Sequence, residues 1–237
     1  MSRMLRIGCG LIAYAPSCSF LIMFSERPQL IIIALGSAFA WLCSALATAM
    51  LWTIFQSGGV NLWPLLVILS AVFQEISRFV FVYAYRRTET LIKRSSPHSN
   101  EAFPLNDISS SLAAGVGYGT MHSLLLYGSV LLSSTGTGVL FEDSCPSVPL
   151  ILVSAILSLG FCVLDVVLMC LAFLAERYRS KILVCVIFLL HIVAGLATLA
   201  NSSRYGCRTS LSLVLVVILI ASALLAWVWP LFLRGLA

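Results

Sequence analysis

Five ionisable side chains stand in stretches otherwise apolar enough to cross a membrane: Glu75 and Arg78 in the segment FQEISRF, then His122, Asp165 and His191. An ionised group in hydrocarbon is expensive, so each needs a partner or a task. Glu75 and Arg78 are three residues apart, which sets them on neighbouring positions of one helical face, where they can form an ion pair. That pair reads as a polar clasp between helices, or as a local pair near the interface with Arg78 reaching towards water. Asp165 and His191 can meet as a carboxylate–imidazole pair if their helices face one another. Such a pair serves either as an acid–base dyad or as a structural hydrogen bond. His122 flanks a run of small residues and can donate to a nearby carbonyl.

The wider constellations that catalysis needs are absent from the sequence. An intramembrane aspartyl protease uses two carboxylates that share one proton, with a GxGD signature on one helix. Asp165 is the one deep aspartate, and the nearest match, Gly117-Tyr118-Gly119, is followed by Thr120. A serine protease would need a Gly-x-Ser-Gly turn to partner His191, and there is none. HExxH, P-loop and Rossmann glycine patterns are missing too. The eight cysteines form no CxxC pair and no Cys/His spacing suited to zinc, so neither metal nor cofactor is expected. No basic run or nucleic-acid-binding motif occurs, and nucleic acid is not an expected partner. No catalytic residue is assigned, and the chain reads as an assembly partner.

The elements that hold these residues follow from composition. Of 237 residues, 60% are hydrophobic and 10% charged, against about 25% charged in soluble domains. With a mean hydropathy of +1.05, this is an all-α polytopic membrane protein in a lipid bilayer. A spanning helix needs about 20 mostly apolar residues. Seven such segments are predicted, at 7–24, 30–55, 62–85, 108–134, 148–175, 182–200 and 211–233, forming one membrane domain over 1–237. The segment after Arg3 and Arg6 resembles a signal peptide but continues to Phe24 without a small-residue cleavage site, so it counts as the first helix. No segment repeats another, so the inverted repeats of transporters are not seen.

Lys and Arg placement predicts orientation. With the N-terminus lumenal or extracellular and the C-terminus cytosolic, the cytosolic side holds Arg27, Arg86, Arg87, Lys93, Arg94, Arg177, Arg179, Lys181 and Arg234. The opposite side holds only Arg3, Arg6, Arg204 and Arg208. This arrangement brings Cys145 and Cys207 into loops on the same oxidising side, where a disulfide can form; two unpaired loop thiols are the alternative. The sequon Asn201-Ser202-Ser203 lies on that side as well, but it hugs the membrane edge and is expected to stay unmodified.

Two ladders of small residues complete the pattern. Gly115, Gly119 and Ser123 recur every four residues in AAGVGYGTMHSLLLYG, so they share one face that another helix backbone can approach. That face suits docking of a partner protein, or packing within the chain. Gly36, Ala40, Ser44 and Thr48 form a second ladder, expected to be used within the bundle.

Taken in order, these segments resemble the anterior-pharynx-defective (Aph) family of γ-secretase subunits. The N-terminal stretch with Gly8, Cys9, Pro16 and Trp41 resembles the family's first two helices. FQEISRF is similar to the family's LQE-x-x-RF, covering Gln74, Glu75, Arg78 and Phe79. GVGYGTMHS aligns with GxxxGxxxG, with Ser123 in place of the third glycine. GTGVLFEDSCP resembles a Gly-x-Gly…Asp-Ser-Pro loop that Cys145 interrupts. HIVAGLATLAN places His191 on a family histidine, and the family's other buried histidine aligns with Asp165.

The resemblance implies seven helices in the orientation just described and a non-catalytic scaffold. Its partners would be a presenilin-like catalytic subunit, which carries the two catalytic aspartates, a nicastrin-like subunit and a presenilin-enhancer-like subunit. The complex cleaves type I membrane-protein stubs, including those of Notch signalling, in the endoplasmic reticulum, Golgi, plasma membrane and endosomes. In this reading Gly115, Gly119, Ser123 and His122 serve assembly, while Asp165, His191, Glu75 and Arg78 make buried polar contacts. The competing reading is a small transporter or channel with Glu75, Asp165 and His191 along a polar path. An autonomous enzyme using Asp165 and His191 is a third.

Overall fold

Backbone polar groups in lipid must be satisfied within the segment itself, which leaves helices as the form open to apolar runs of this length. The computed structural model describes residues 3–56, 63–95, 107–133 and 140–234. They form seven α-helices: α1 (Arg3–Phe24), α2 (Pro28–Gln56), α3 (Trp63–Ser95), α4 (Asp107–Ser133), α5 (Leu150–Arg177), α6 (Lys181–Thr198) and α7 (Gly206–Arg234). Among the described residues, six of these are long and apolar enough to cross a membrane, and the protein is an integral membrane protein. The exception is α4. Its 27 residues cover about 40 Å at 1.5 Å per residue, ample for a bilayer, but it is rich in Gly and Ser. Its neighbours explain the composition: α1, α2 and α5 pack around it, so little of it must face lipid.

Several edges differ from the predicted ones. α3 continues to Ser95, ten residues past 85, so RRTETLIKRS is helical rather than a loop. Hydropathy marks where the chain leaves hydrocarbon, not where the helix stops. This stretch holds no Pro or Gly, and Arg86 pairs with Glu89 one turn on at 3.3 Å. α6 tightens into a 3-10 turn over Leu199–Ser202, and α7 begins at Gly206 instead of 211. The predicted start of α3 at 62 and much of the separators at 57–61, 96–106 and 134–139 lie outside the described residues.

The α5–α6 turn is fixed locally. Ser180 N–H donates to Ala175 O at 3.0 Å and Arg179 N–H to Glu176 O at 3.3 Å. These are the two bonds of a Schellman motif, and they hold Arg179 at φ 49°. Ser180 then caps α6, its hydroxyl accepting from Leu183 N–H at 3.3 Å. At the other end of the bundle the α4–α5 and α6–α7 connections are tied together. Tyr205 N–H donates to Asp143 O at 3.1 Å and Cys207 N–H to Ser144 O at 3.2 Å. Cys145 and Cys207 are joined there by a disulfide with their Cα atoms 5.6 Å apart.

α5 forms the core. It packs on α1, α3, α4, α6 and α7, and every residue from Leu168 to Ala175 is buried. In α2 the buried stripe is Leu30, Ala34, Ser37, Trp41 and Ser44, a three-and-four spacing. It shares only Ser44 with the predicted ladder, whose Gly36 is exposed. Large apolar side chains such as Leu35, Phe39 and Met50 point outward, as a lipid-facing surface requires.

Candidate functional site

α3, α4, α5 and α6 each bring an ionisable side chain to one buried place. Arg78 is its centre. The guanidinium Nε donates to Glu75 Oε1 and Oε2 at 3.1 and 3.0 Å, across one turn of α3. Nη1 donates to the main-chain carbonyl of Asp165 at 2.9 Å, and Nη2 to Asp165 Oδ1 at 2.5 Å. The face of the guanidinium lies over the Tyr118 ring, 4.4 Å from its centroid, a cation–π contact worth most where water is excluded. Glu75 and Arg78 are 0% exposed and Asp165 1%.

Two imidazoles meet the same two carboxylates. His122 Nδ1 is 2.8 Å from Asp165 Oδ2, and His191 Nδ1 bonds Glu75 Oε1. An ionised carboxylate only accepts, so a ring that meets one donates from Nδ1. Trp41 of α2 stacks on His122 with centroids 4.9 Å apart, and Tyr118 Oη donates to the Gln74 carbonyl at 2.5 Å. Two carboxylates and one guanidinium leave a formal charge of −1 when both imidazoles are neutral, and protonating either one balances the network. The arrangement ties four helices by bonds each of which is costly to leave unmade. Arg78 stands between the two carboxylates. Among the described residues no group of three His, Cys, Asp or Glu is arranged to hold a metal ion.

The pairing differs from the one the sequence suggested. Asp165 meets His122 and Arg78, and His191 meets Glu75. The reason is tertiary. α4 lies against α5, whereas α6 lies against α3 as well as α5. His122 therefore belongs to the network itself and does not merely flank the small-residue face.

That face is also closed within the chain. A Cβ on Gly115 would fall 2.7 Å from Val166 Cα, and one on Gly119 would fall 2.8 Å from Cys162 O. Both contacts are with the α5 backbone, so the two glycines let α4 and α5 touch. Ser123 is buried and its hydroxyl donates to Ala13 O of α1 at 3.2 Å. The reading of Gly115–Gly119–Ser123 as a surface open to a partner protein is corrected accordingly. Gly117, on the opposite side of α4, is tighter still: its Cβ would lie 2.0 Å from Ala34 O of α2. Beside it Ser37 donates to Ala114 O at 2.7 Å. Sequence reasoning passed over Gly117 because it is two residues out of phase with the ladder.

A second polar cluster was missed altogether. Arg86 grips Asp107 with two parallel bonds of 2.7 and 2.9 Å, and Arg177 also bonds Asp107. Asp107 opens α4, where a negative charge is favoured by the helix dipole. Tyr85 donates to Ser110 at 2.8 Å alongside. The signal was present in the aspartate that opens the Gly/Ser-rich helix and in arginines that follow two apolar runs.

A cavity of about 380 Å³ adjoins the network and is lined by His122, His191, Gln74, Phe161, Gly195 and Asn201 among others. Gln74 Oε1 and Asn201 Oδ1 are buried without a hydrogen-bond partner in the protein. Asn201 thus has its amide oxygen inside the bundle.

Residues 4–230 match the family model described as Aph-1 protein. The chain belongs to the Aph-1 family. Among its relatives is a protein of Arabidopsis thaliana named gamma-secretase subunit APH1-like, 32% identical over 217 residues, covering 89% of this chain and 87% of the relative. The human gamma-secretase subunit APH-1B is 24% identical over 236 residues, covering 95% and 90%. A mouse protein named putative gamma-secretase subunit APH-1C is 27% identical over 141 residues, covering 55% and 54%. The Aph-1 match spans every helix that contributes to the ionic network.

Proposed function

We propose that this protein is a non-catalytic scaffold subunit of a γ-secretase-type complex. In this reading it holds a presenilin-like catalytic subunit, a nicastrin-like subunit and a presenilin-enhancer-like subunit together for intramembrane proteolysis of type I membrane proteins. It would act as one helical domain with the N-terminus lumenal or extracellular and the C-terminus cytosolic. Endoplasmic reticulum, Golgi, plasma membrane and endosomes are the compartments this role implies. The observation that carries the reading is the Aph-1 match over residues 4–230, joined to relatives named as γ-secretase subunits. The geometry supports it as well. Glu75, Arg78 and Asp165 are committed to one another and sealed from solvent, which suits a rigid framework. The assembly surface in this account is the outer, lipid-facing side of the helices rather than the closed face of α4. Deleting the chain from cells that make it should leave the presenilin-like subunit immature and let membrane stubs accumulate. Normal stub cleavage in its absence would overturn the proposal.

A transporter or channel is the second reading, and the cavity beside His122 and His191 favours it. Of the three residues first placed on a polar path, His191 lines that cavity, while Glu75 and Asp165 are 0% and 1% exposed. Liposomes holding this chain alone would pass protons or ions if that reading held, and would stay tight under the scaffold reading.

A further inference from the structure

Where α3 leaves its apolar span, one face changes character in a regular way. Ile76, Val80 and Tyr83 are exposed and follow each other at four and three residues. Arg87, Thr90 and Arg94 continue the same stripe at four, three and four, so all six share one side of the helix. The apolar run of α3 gives way to charge at Arg86 and Arg87, which puts the arginines where a bilayer's headgroups lie. Tyr83, Arg87, Thr90 and Arg94 line a cavity of about 370 Å³, with Arg86 beside them and Glu176 of α5 on the far wall.

The charges in this cavity are unequally committed. Arg86 is held by Asp107 and Glu89. Arg87 reaches Tyr83 Oη at 3.5 Å. Among the described residues neither Arg87 nor Arg94 has an ion pair with a carboxylate. We infer that this pocket binds the phosphate headgroup of an anionic phospholipid, with its acyl chain along Ile76, Val80 and Tyr83. Guanidinium groups match phosphate oxygens in geometry as well as charge, and the Tyr83 hydroxyl, which accepts from Arg87, adds a donor. Basic pockets at the cytosolic end of membrane helices are suited to anionic headgroups, and the proposed orientation places this end in the cytosol. The apolar strip leading into the arginines distinguishes a lipid from free phosphate, which has no use for it. Among the described lining residues Glu176 is the one carboxylate, and it works against the anion.

Native mass spectrometry of the full-length protein, released from detergent containing equal amounts of phosphatidylinositol 4-phosphate, phosphatidylserine and phosphatidylcholine, tests this directly. Each basic residue near an anionic surface is worth about fivefold in partitioning. The wild type should retain the two anionic lipids over phosphatidylcholine, and R87Q/R94Q should retain about twenty-five-fold less. R204Q/R208Q, which removes two exposed arginines at the other end of the bundle, should behave as wild type, and E176Q should raise retention. Undiminished retention in R87Q/R94Q, an equal loss in R204Q/R208Q, or a fall in E176Q would each overturn the assignment. So would binding of inorganic phosphate by a wild type that shows no preference among the lipids.

Discussion

Arg78 of α3 holds Asp165 of α5 twice, through the carboxylate at 2.5 Å and through the main-chain carbonyl at 2.9 Å. The second bond fixes the α5 backbone as well as its side chain. Removing one partner of a buried ion pair costs about 3–5 kcal/mol, since the remaining charge is stranded. R78M strands both Glu75 and Asp165, and its thermal midpoint in detergent should fall well below that of R78K. Lysine keeps the charge and loses the fork. Equal midpoints for wild type and R78M would show that the network does not hold the fold.

The two imidazoles should couple selectively. Neighbours in one network show interaction energies of about 0.5–3 kcal/mol in double-mutant cycles. H191N with E75Q and H122N with D165N should give the large values, and H191N with D165N a smaller one. Stability measured by chemical denaturation in detergent reads all three cycles. A largest coupling between His191 and Asp165 would contradict the pairing.

Glycines along the chain should respond very differently to one added methyl. G117A forces a carbon to within 2.0 Å of Ala34 O, and G119A to within 2.8 Å of Cys162 O. Overpacking of this kind costs about 1–3 kcal/mol, with G117A the worse of the two. Gly8 and Gly10 have nothing within 4 Å of the added carbon. There alanine should be neutral or stabilise the helix by up to about 1 kcal/mol. Size-exclusion profiles and thermal midpoints of the four variants check the order.

Much of this was legible in the residues themselves. Apolar runs of helical length give the bundle, and a spacing of three sets Glu75 beside Arg78 because one helix carries both. Four-residue spacing likewise puts Gly115 and Gly119 on one face. What covers that face was not legible, because the surface of α5 that meets it is made of backbone around Val166 and Cys162, which leaves no mark in composition. The partner of Asp165 was hidden for the same reason: two histidines on two helices fit it equally well until the helices are placed. Asp107 was hidden differently. It lies beyond the hydrophobic signal, at the start of a helix, and Arg86 and Arg177 likewise follow apolar runs, so that their charges read as loop charges when counted for orientation.

Breaking the link between the two tied loops should matter to stability and report on orientation together. Cys145 and Cys207 are 62 residues apart in sequence, and a cross-link closing a loop of that size contributes up to about 4 kcal/mol. C145S/C207S should lower the thermal midpoint, and thiol labelling of the wild-type pair should require a reductant. Ready labelling of both thiols without reduction would contradict the bond.

The scaffold role is tested most directly by what travels with the protein. A tagged chain should be taken from its own membranes in mild detergent and its companions identified by mass spectrometry. The account predicts near-equal amounts of a presenilin-like chain and a nicastrin-like chain. Recovery of the protein as a clean monomer, with neither companion present, would contradict it.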